Sequence, residues 1–305
     1  MTSGQTVEGA GELASGLPAP AALQRRRWLS VLRDALQLGR TRIGVAIIAA
    51  IVFLALFGPL LAPHSPTEFV VPPNTGPSDA ASLGGDVLGR DVVSRFLSGG
   101  RTVLTLSLLA TLLGVALGTL VGLVAAYARN WFDDVLMRAN DVVLAFPQIV
   151  FVLLLVTAVG PQLWLIVVAV GGTHAPRVAR VMRGAGQEVV ERDFIRAAEA
   201  VGERRWRIVF GEMLPNVTSP LLVELGLRMT YSIALVAGVS FLGFGLQPPA
   251  ADWGLMINEN RLALTVQPWG VLLPVLAIGA LTVGTNLVTD GLARAAIGID
   301  RGGAS

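Results

Sequence analysis

Long apolar segments without charged residues recur along this chain, and they constrain its fold more than any other feature. A transmembrane helix needs about 20 predominantly apolar residues to cross the hydrocarbon core of a bilayer. The clearest segment covers residues 103–127 and contains no charged side chain. Only 14% of the 305 residues are charged, whereas about a quarter are charged in a typical soluble domain. The sequence therefore excludes an ordinary soluble enzyme and predicts an all-α integral membrane protein with six transmembrane helices.

The predicted organisation is one membrane domain between two tails. Residues 1–42 are predicted to be a disordered, basic cytoplasmic tail, residues 43–292 the six-helix domain, and residues 293–305 a second cytoplasmic tail. The predicted spans are residues 43–61, 103–127, 142–160, 163–179, 220–246 and 269–289. The loops between these spans leave no room for a separate soluble domain.

The distribution of arginine predicts the orientation in the membrane. An even number of spans places both termini on the same side. On the side of the N-terminal tail lie 18 arginines, the opposite side has four, and Arg228 lies within the fifth span. Because basic residues are enriched on the cytoplasmic side of a membrane, both termini are predicted to be cytoplasmic (N-in, C-in). The small excess of basic residues is explained by this topology, and no nucleic-acid partner is expected.

Several residue types needed for catalysis or metal binding are absent. The chain has no cysteine and only two histidines, which excludes a disulfide scaffold and any cysteine-ligated or histidine-rich metal site. It also has no lysine, so it cannot form a Walker A phosphate loop. Asp252 and Glu259 are predicted to lie in an outside loop with little else around them. No catalytic residue, metal or cofactor is therefore expected in this chain.

Small residues in the second span predict close helix packing. The ridge, in which small residues recur at every fourth position, consists of Ala110, Gly114, Gly118, Gly122 and Ala126. Such a spacing lets the backbone of another helix approach closely. The alternative is chance, since glycine makes up 35 of the 305 residues.

A few polar or helix-breaking residues fall within the predicted spans. Glu224 and Arg228 are four residues apart and share one helical face near the cytoplasmic end of the fifth span. They form either a structural ion pair or part of a transport path or gate. Asp141 is predicted to mark the start of the third span, and Asn286 to bond a neighbouring helix. Pro147 predicts a kink, either static or in a moving helix.

The cytoplasmic loop after the fourth span has a helix–glycine–helix pattern. Phe194, Ala197, Ala198 and Val201 recur at the spacing of one helical face, and Gly202 then ends the first helix. The same spacing is repeated by Trp206, Val209, Phe210 and Met213, and Pro215 is predicted to end the second helix. The small centre of the first helix would let it lie deep in a groove on another protein. The alternative is an amphipathic helix in the lipid headgroups.

Residues 196–215 resemble the EAA loop of ABC importer permeases. Ala197, Ala198, Gly202, Leu214 and Pro215 match that family pattern. At the position where the family usually has glutamate, this sequence has Arg196, a reversal of charge. Glu199 could partly substitute for it but faces another direction.

Three further segments are similar to one subfamily, the C-type permeases of dipeptide and oligopeptide importers. They are residues 83–104, 133–148 and 241–254, and the resemblance extends over about residues 43–301. In the first segment the matching positions are Asp86, Gly89, Arg90, Asp91, Ser94 and Arg95, with Gly85 in place of the usual threonine. That segment also predicts a surface helix with an apolar and a polar face. Such a helix is either an interfacial anchor or a contact for an external delivery protein.

This resemblance implies the type I fold of ABC importer permeases and a place in the cytoplasmic membrane. It implies a heterodimer with a homologous B-type permease, two ATPase subunits or domains that bind ATP and Mg²⁺, and an external substrate-binding protein. The loop at about 187–215 would couple ATPase motion to transport. The implied coupling residues are Arg196, Ala197, Ala198, Glu199, Val201, Gly202, Leu214 and Pro215.

The implied cargo is a dipeptide or oligopeptide, and nickel, glutathione or another peptide-like or chelated cargo is the alternative within the same class. Two other classes are considered, an ion-coupled secondary transporter and a membrane scaffold without transport. No charge is predicted near the middle of any span, which disfavours the first. The second gives no reason for the amphipathic loop.

Overall fold

The computed structural model describes residues 31–297, and throughout this range regular structure is helical. The helices are α1 (Gly39–Leu61), α2 (Val92–Ala128), α3 (Trp131–Leu144), α4 (Gln148–Val159), α5 (Leu163–Val190), α6 (Asp193–Ala200), α7 (Arg205–Arg207), α8 (Leu214–Asn216), α9 (Thr218–Phe241), α10 (Trp253–Asn260) and α11 (Trp269–Ile297). A π-helix (Ile208–Met213) joins α7 to α8, and residues 31–37 form a further helical turn before α1. The parts of the predicted tails at 1–30 and 298–305 lie outside the described residues.

Four of the described helices are long and apolar enough to cross a membrane, namely α1, α2, α9 and α11. The bent pair α3–α4 is a fifth candidate if the two helices form a single span. Helix α5 covers the predicted fourth span, but arginines occupy its second half and it does not meet the same standard. The fold is therefore an all-helical membrane protein in which length and composition support four or five spans.

The predicted third span, 142–160, is not one continuous helix. Helix α3 ends at Leu144 and α4 begins at Gln148, and their axes differ by 82°. Pro147 cannot donate a backbone hydrogen bond, and it lies in the break. The apolar run begins within α3, but its first residues lie on an amphipathic helix that points in another direction.

Helices α2 and α5 form the most extensive helix–helix contact among the described residues. Gly114, Gly118 and Gly122 lie against the backbone of α5, where a methyl group at Gly118 would come within 2.5 Å of the Ala175 carbonyl oxygen. The ridge of small residues therefore places two helix backbones in contact, as the packing of membrane helices commonly requires. This contact fixes the rest of the bundle around α2 and α5.

Several helix ends differ from the predicted spans. Helix α1 begins at Gly39 instead of residue 43, and α5 continues to Val190 instead of ending at residue 179. Helix α2 starts at Val92 rather than near residue 103, so the predicted surface helix is the first part of this span. Helix α11 continues to Ile297, beyond the predicted end of the sixth span. Helix α9 ends at Phe241 rather than at 246, so that Arg228 lies close to the midpoint of the helix instead of near its end.

Candidate functional site

Loop 191–216, at one end of the bundle, begins with a helix that ends in a defined glycine turn. Gly202 has φ +81°, a left-handed conformation that favours glycine. The N–H of Gly202 donates to the Glu199 carbonyl oxygen at 3.0 Å, and the N–H of Glu203 donates to that of Ala198 at 3.0 Å. These two bonds make the Schellman motif, which satisfies the last carbonyl groups of α6.

One residue holds α6 against the bundle while its other apolar side chains stay uncovered. Ile195 is fully buried in the core formed with α2 and α5. Val201 is 83% exposed, and Phe194 and Ala197 are exposed as well. Only Ala198 of the predicted face packs partly against the core. The described part of the chain therefore leaves an apolar surface with a small centre open at this end.

The second half of the loop departs from the predicted helix. Val209 and Met213 are buried, whereas Trp206 and Phe210 are exposed and stack on each other with ring centroids 5.8 Å apart. The π-helix changes the angle between successive residues, so the four residues do not share one face. Pro215 does not end the helical segment, which continues to Asn216.

The remaining predicted coupling residues occupy different surroundings. Arg196 is exposed, and Leu214 and Pro215 are partly buried beside the π-helix. Glu199 points away from the open face of α6. Together with Tyr127 and Arg205 it lines a cavity of about 610 Å³ between the loop and the end of α2.

At the opposite end of the bundle, four charged side chains from two distant segments meet in a buried cluster, the four-charge cluster. It consists of Asp86, Arg90, Arg95 and Glu259. The Glu259 carboxylate accepts from Arg90 at 2.9 Å and from Arg95 at 2.7 Å, and Arg90 also donates to Asp86 at 2.7 Å. Both arginines are at most 2% exposed. Two cations are thus balanced by two carboxylates in a nearly sealed site.

The other predicted signature residues fold the chain around this cluster. Asp91 caps α2, where its carboxylate accepts from the Ser94 N–H at 2.9 Å and from the Ser94 hydroxyl at 2.6 Å. Gly89 has φ +84°, and a side chain there would collide with the Val71 carbonyl oxygen. The polar face predicted to be exposed points inward instead, since Asp91, Ser94 and Arg95 are all buried. The segment is part of the bundle, not a helix on its surface.

Asp252 and Glu259 are not isolated, contrary to the expectation from sequence. Glu259 belongs to the four-charge cluster, and Asp252 caps α10, accepting from the Leu255 N–H at 3.0 Å and from the Ser240 hydroxyl. Burial raises the pKa of the Asp252 carboxyl above its usual range, although these hydrogen bonds oppose the shift. Both residues hold α10 in place. Among the described residues, no group of histidine and acidic side chains is arranged to hold a metal ion.

A layer of polar residues crosses the middle of the bundle, and sequence analysis did not find it. In this central polar layer the Thr111 hydroxyl donates to Ser232 at 2.8 Å, and Ser232 lies 3.0 Å from His174 Nε2. Gln148, the first residue of α4, donates to the Thr173 carbonyl oxygen at 3.3 Å. Thr111, His174 and Ser232 are polar residues scattered over three helices, and no spacing along the sequence connects them.

Charged residues lie next to this layer. Arg228 Nε donates to Glu224 at 3.0 Å, and its guanidinium lies over the Tyr231 ring at 5.2 Å. The pair is mostly buried, with 8% of each side chain exposed. Two predicted polar residues also have partners: Asp141 pairs with Arg180, and Asn286 accepts from Thr230 at 3.2 Å.

Comparison with known families places the chain among transport proteins. Residues 118–297 match the family of binding-protein-dependent transport system inner membrane components. The match includes only the last part of α2, from residue 118, together with the pair α3–α4, α5, loop 191–216 and the described helices that follow. The chain belongs to this family. Residues 41–78 additionally match the N-terminal transmembrane domain of oligopeptide transport permease C.

Curated relatives of this permease cover most of its length. It is 39% identical over 219 residues to a glutathione transport system permease protein of Pectobacterium atrosepticum, covering 72% of this chain and 73% of the relative. It is 34% identical over 252 residues to a dipeptide transport system permease protein of Alkalihalophilus pseudofirmus, covering 82% and 83%. It is 34% identical over 256 residues to a di/tripeptide transport system permease protein of Pseudomonas aeruginosa, covering 82% and 84%.

Family membership establishes the general role of the chain. It is a permease subunit of an ABC transporter in the inner membrane, and ATP hydrolysis takes place in partner ATPases. A permease of this family works with an ATPase, a substrate-binding protein and a paired permease. The absence of lysine is consistent with this role, since the chain cannot form a Walker A loop.

Proposed function

We propose that this permease forms half of the translocation path of an ATP-driven importer for dipeptides or oligopeptides. The observation that carries the substrate class is that relatives at 34% identity, over more than four fifths of the chain, are named dipeptide and di/tripeptide permeases. The partners are a homologous B-type permease, two ATPase subunits or domains with ATP and Mg²⁺, and an external binding protein. Glutathione is the second candidate cargo, favoured by the 39% identical relative.

The proposed arrangement in the membrane has six spans with both termini in the cytoplasm. Helices α1, α2, α9 and α11 are the apolar spans, the bent pair supplies another, and the first part of α5 supplies the sixth. Arg180 and Arg183 of α5 and the arginines of loop 191–216 then lie toward the cytoplasmic side, as the positive-inside rule requires. The four-charge cluster then lies buried at the external end of the bundle. The permease then has the type I importer fold.

Loop 191–216 is the proposed contact with the ATPase. Its exposed apolar residues and small centre suit a helix that fits into a groove, and Ile195 ties α6 to the core so that force is transmitted. Gly202 is required because the chain turns there with positive φ. Arg196 is exposed and available to a partner, so its charge reversal predicts an acidic residue opposite it on the ATPase.

The first experiment is purification of the tagged permease from its own membranes in mild detergent, with mass spectrometry of the proteins that accompany it. A second permease and ATPases with Walker motifs are expected. Uptake of radiolabelled dialanine, glutathione and nickel into cells with and without the permease then identifies the cargo class. Uptake of nickel alone would contradict the proposed cargo.

The coupling role is tested with Ala197→Glu, which places a charge in the middle of the open face of α6. Peptide uptake is expected to fall at least tenfold, while the variant inserts normally and its copurified ATPase decreases. The matched control is Ala80→Glu, the same change at an exposed position at the other end of the bundle. Normal uptake in a well-expressed Ala197→Glu variant would contradict the proposal.

A further inference from the structure

Three arginines, Arg177, Arg180 and Arg183, follow one another along α5 at intervals of three residues, and only two of them have a carboxylate partner in the described part of the chain. We call these three arginines and their partners the arginine ladder. Arg183 makes two hydrogen bonds to Asp133, at 2.6 and 2.5 Å, and Arg180 pairs with Asp141. Both aspartates lie on α3. Arg177 is the next arginine on the same helix and is partly buried. Within residues 31–297 it has no hydrogen bond or salt bridge to any group.

The break between α3 and α4 explains why Arg177 has no partner. Helices α4 and α5 form a hairpin in which Gln148 lies opposite Thr173 and His174. Residues 145–147 therefore lie at the level of Arg177, where an aspartate would continue the ladder. That position holds Ala145, which is exposed, and the chain then turns by 82°. The chain therefore has no acidic side chain at the position opposite Arg177.

A second arginine lies at the same level on α9. Helices α5 and α9 run antiparallel, since residues near 166 pack with residues near 236, and residues near 182 with residues near 217. His174 and Ser232 are in contact at 3.0 Å. Arg177 and Arg228 both lie about one turn further toward loop 191–216, roughly 4.5 and 6 Å along their helices. Arg177 and Arg228 therefore lie at one level of the bundle, on two neighbouring helices.

The charge at this level is not balanced. Glu224 is bound to Arg228, and no acidic residue pairs with Arg177 among the described residues. Uncompensated charges at membrane depth are unfavourable and commonly mark the path of a substrate or ion. The amino terminus of α4 lies near this level, since Gln148 contacts Thr173, and the unsatisfied N–H groups at the start of a helix favour an anion. Tyr231, whose ring lies against the Arg228 guanidinium, is half exposed, so this level of the bundle reaches the surface of the chain.

We propose that Arg177, with Arg228 and the start of α4, binds the carboxylate of the translocated substrate. The ligand class is an organic carboxylate, such as the C-terminus of a peptide. This inference rests on the proposed function, because it assumes that the open surface beside Tyr231 faces the path. The substrate carboxylate takes the position beside Arg177 where Ala145 supplies no acidic group.

The test uses the complete transporter in proteoliposomes, with its binding protein and ATP. The probe is radiolabelled dialanine or glutathione, whichever the wild type imports. Arg177→Gln is expected to lower the maximal uptake rate about tenfold, the size expected for loss of a hydrogen bond to a charged group. ATP hydrolysis stimulated by the loaded binding protein should stay within twofold of the wild type. Arg177→Lys should restore at least a third of the uptake, and Arg180→Gln, which changes a half-exposed pair, should stay within twofold.

A second variant supplies the missing carboxylate from the chain itself. Ala145→Asp is expected to block uptake about as strongly as Arg177→Gln while raising the melting temperature of the complex. Ala145→Asn, which has the same size without the charge, should not raise the melting temperature, so the comparison separates pairing with Arg177 from simple filling of the position. Adding Ala145→Asp to Arg177→Gln should produce no further loss. A variant that merely misfolds would lower the melting temperature, and that result would overturn the proposal.

The possible outcomes separate the two proposals. Wild-type uptake together with equal uptake by Arg177→Gln and Ala145→Asp would overturn the carboxylate site and leave the importer function intact. Loss of a tightly bound anionic lipid from Arg177→Gln with unchanged uptake would assign this arginine to a lipid phosphate instead. A wild-type complex that imports neither probe and shows no stimulated ATP hydrolysis would overturn the proposed function and the inference with it.

Discussion

The four-charge cluster and the arginines in the middle of the bundle differ in how their charges are balanced. In the four-charge cluster, Arg90 and Arg95 are sealed from solvent and matched by Asp86 and Glu259. In the middle of the bundle, Arg228 is paired with Glu224, Arg177 has no carboxylate partner among the described residues, and Tyr231 beside Arg228 is half exposed. The first group is electrically complete without a ligand. The second is not.

This difference teaches how to separate structural from functional charges in a permease. A buried charge that has lost its partner is strongly unfavourable, so a group retained for structure alone is expected to be neutral overall. A charged side chain without a partner that is accessible from the protein surface is expected to bind a group of opposite charge from another molecule. Charge balance therefore distinguishes the two groups where burial and depth alone do not.

The largest effect is expected when the four-charge cluster is unbalanced. Glu259→Gln leaves two buried arginines with only Asp86, and it should destabilise the permease by about 3–5 kcal/mol, as breaking other buried ion pairs does. Yield in the membrane and the melting temperature of the purified complex measure the loss. The control is Asp290→Asn, which removes an exposed pair with Arg40 and should change stability by less than about 0.5 kcal/mol. Equal losses of stability for Glu259→Gln and Asp290→Asn would contradict a structural role for the charge balance of the four-charge cluster.

A smaller loss is expected from the central pair. Glu224→Gln breaks a single ion pair and should cost about 1–3 kcal/mol, because Arg228 keeps its contact with Tyr231. The double variant Glu224→Gln, Arg228→Gln should recover part of this loss, since it removes the orphaned charge. Strictly additive losses in the melting temperature would show that the two side chains do not interact.

The pH dependence of Asp252 gives a smaller and separate effect. Its pKa is raised in the folded state by burial, so the contribution of Asp252 to stability is greatest when the carboxyl is protonated. That contribution falls as the pH rises above the ordinary carboxyl pKa of about 3.9 toward the raised value. Relative to wild type, Asp252→Asn should therefore gain stability as the pH rises above the ordinary carboxyl pKa of about 3.9. A difference in melting temperature that is constant with pH would contradict the assignment.

The smallest effect on stability is expected at Arg177. Because this side chain has no partner, Arg177→Gln should leave the melting temperature unchanged or raise it slightly, within about 0.5 kcal/mol. A loss comparable to that of Glu224→Gln would mean that Arg177 has a structural partner in the assembled transporter. Arg177→Gln is therefore expected to lower uptake without lowering the melting temperature.

Much of the fold could be predicted because its determinants are local. Apolar length identifies α1 and the central part of α2, and the spacing of Gly114, Gly118 and Gly122 predicted the close approach that α2 and α5 make. The 82° turn was not predictable, since Pro147 indicates a kink but not its size. The end of α9 at Phe241 was also missed, because the apolar residues continue beyond it into a loop.

The charged sites were the least predictable part. Glu259 meets Arg95 across 164 residues, and no local pattern joins the two segments. Arg177 follows the apolar part of α5, and an arginine at that position normally indicates the membrane boundary. Its lack of a partner is visible only when α3, α5 and α9 are placed together. Family resemblance identified loop 191–216 but not the arginine ladder beside it.

Helix α2 has a mechanical consequence. Its 37 residues make an unbroken rod, and at 1.5 Å per residue the rod is about 55 Å long, well beyond the hydrocarbon thickness. One end carries Arg95 of the four-charge cluster, and the other carries Tyr127 beside loop 191–216. A tilt of about 5° about one end displaces the other by roughly 5 Å for a rod of this length. If α2 tilts as a rigid body when an ATPase moves loop 191–216, the end of α2 at the four-charge cluster is displaced by several ångströms.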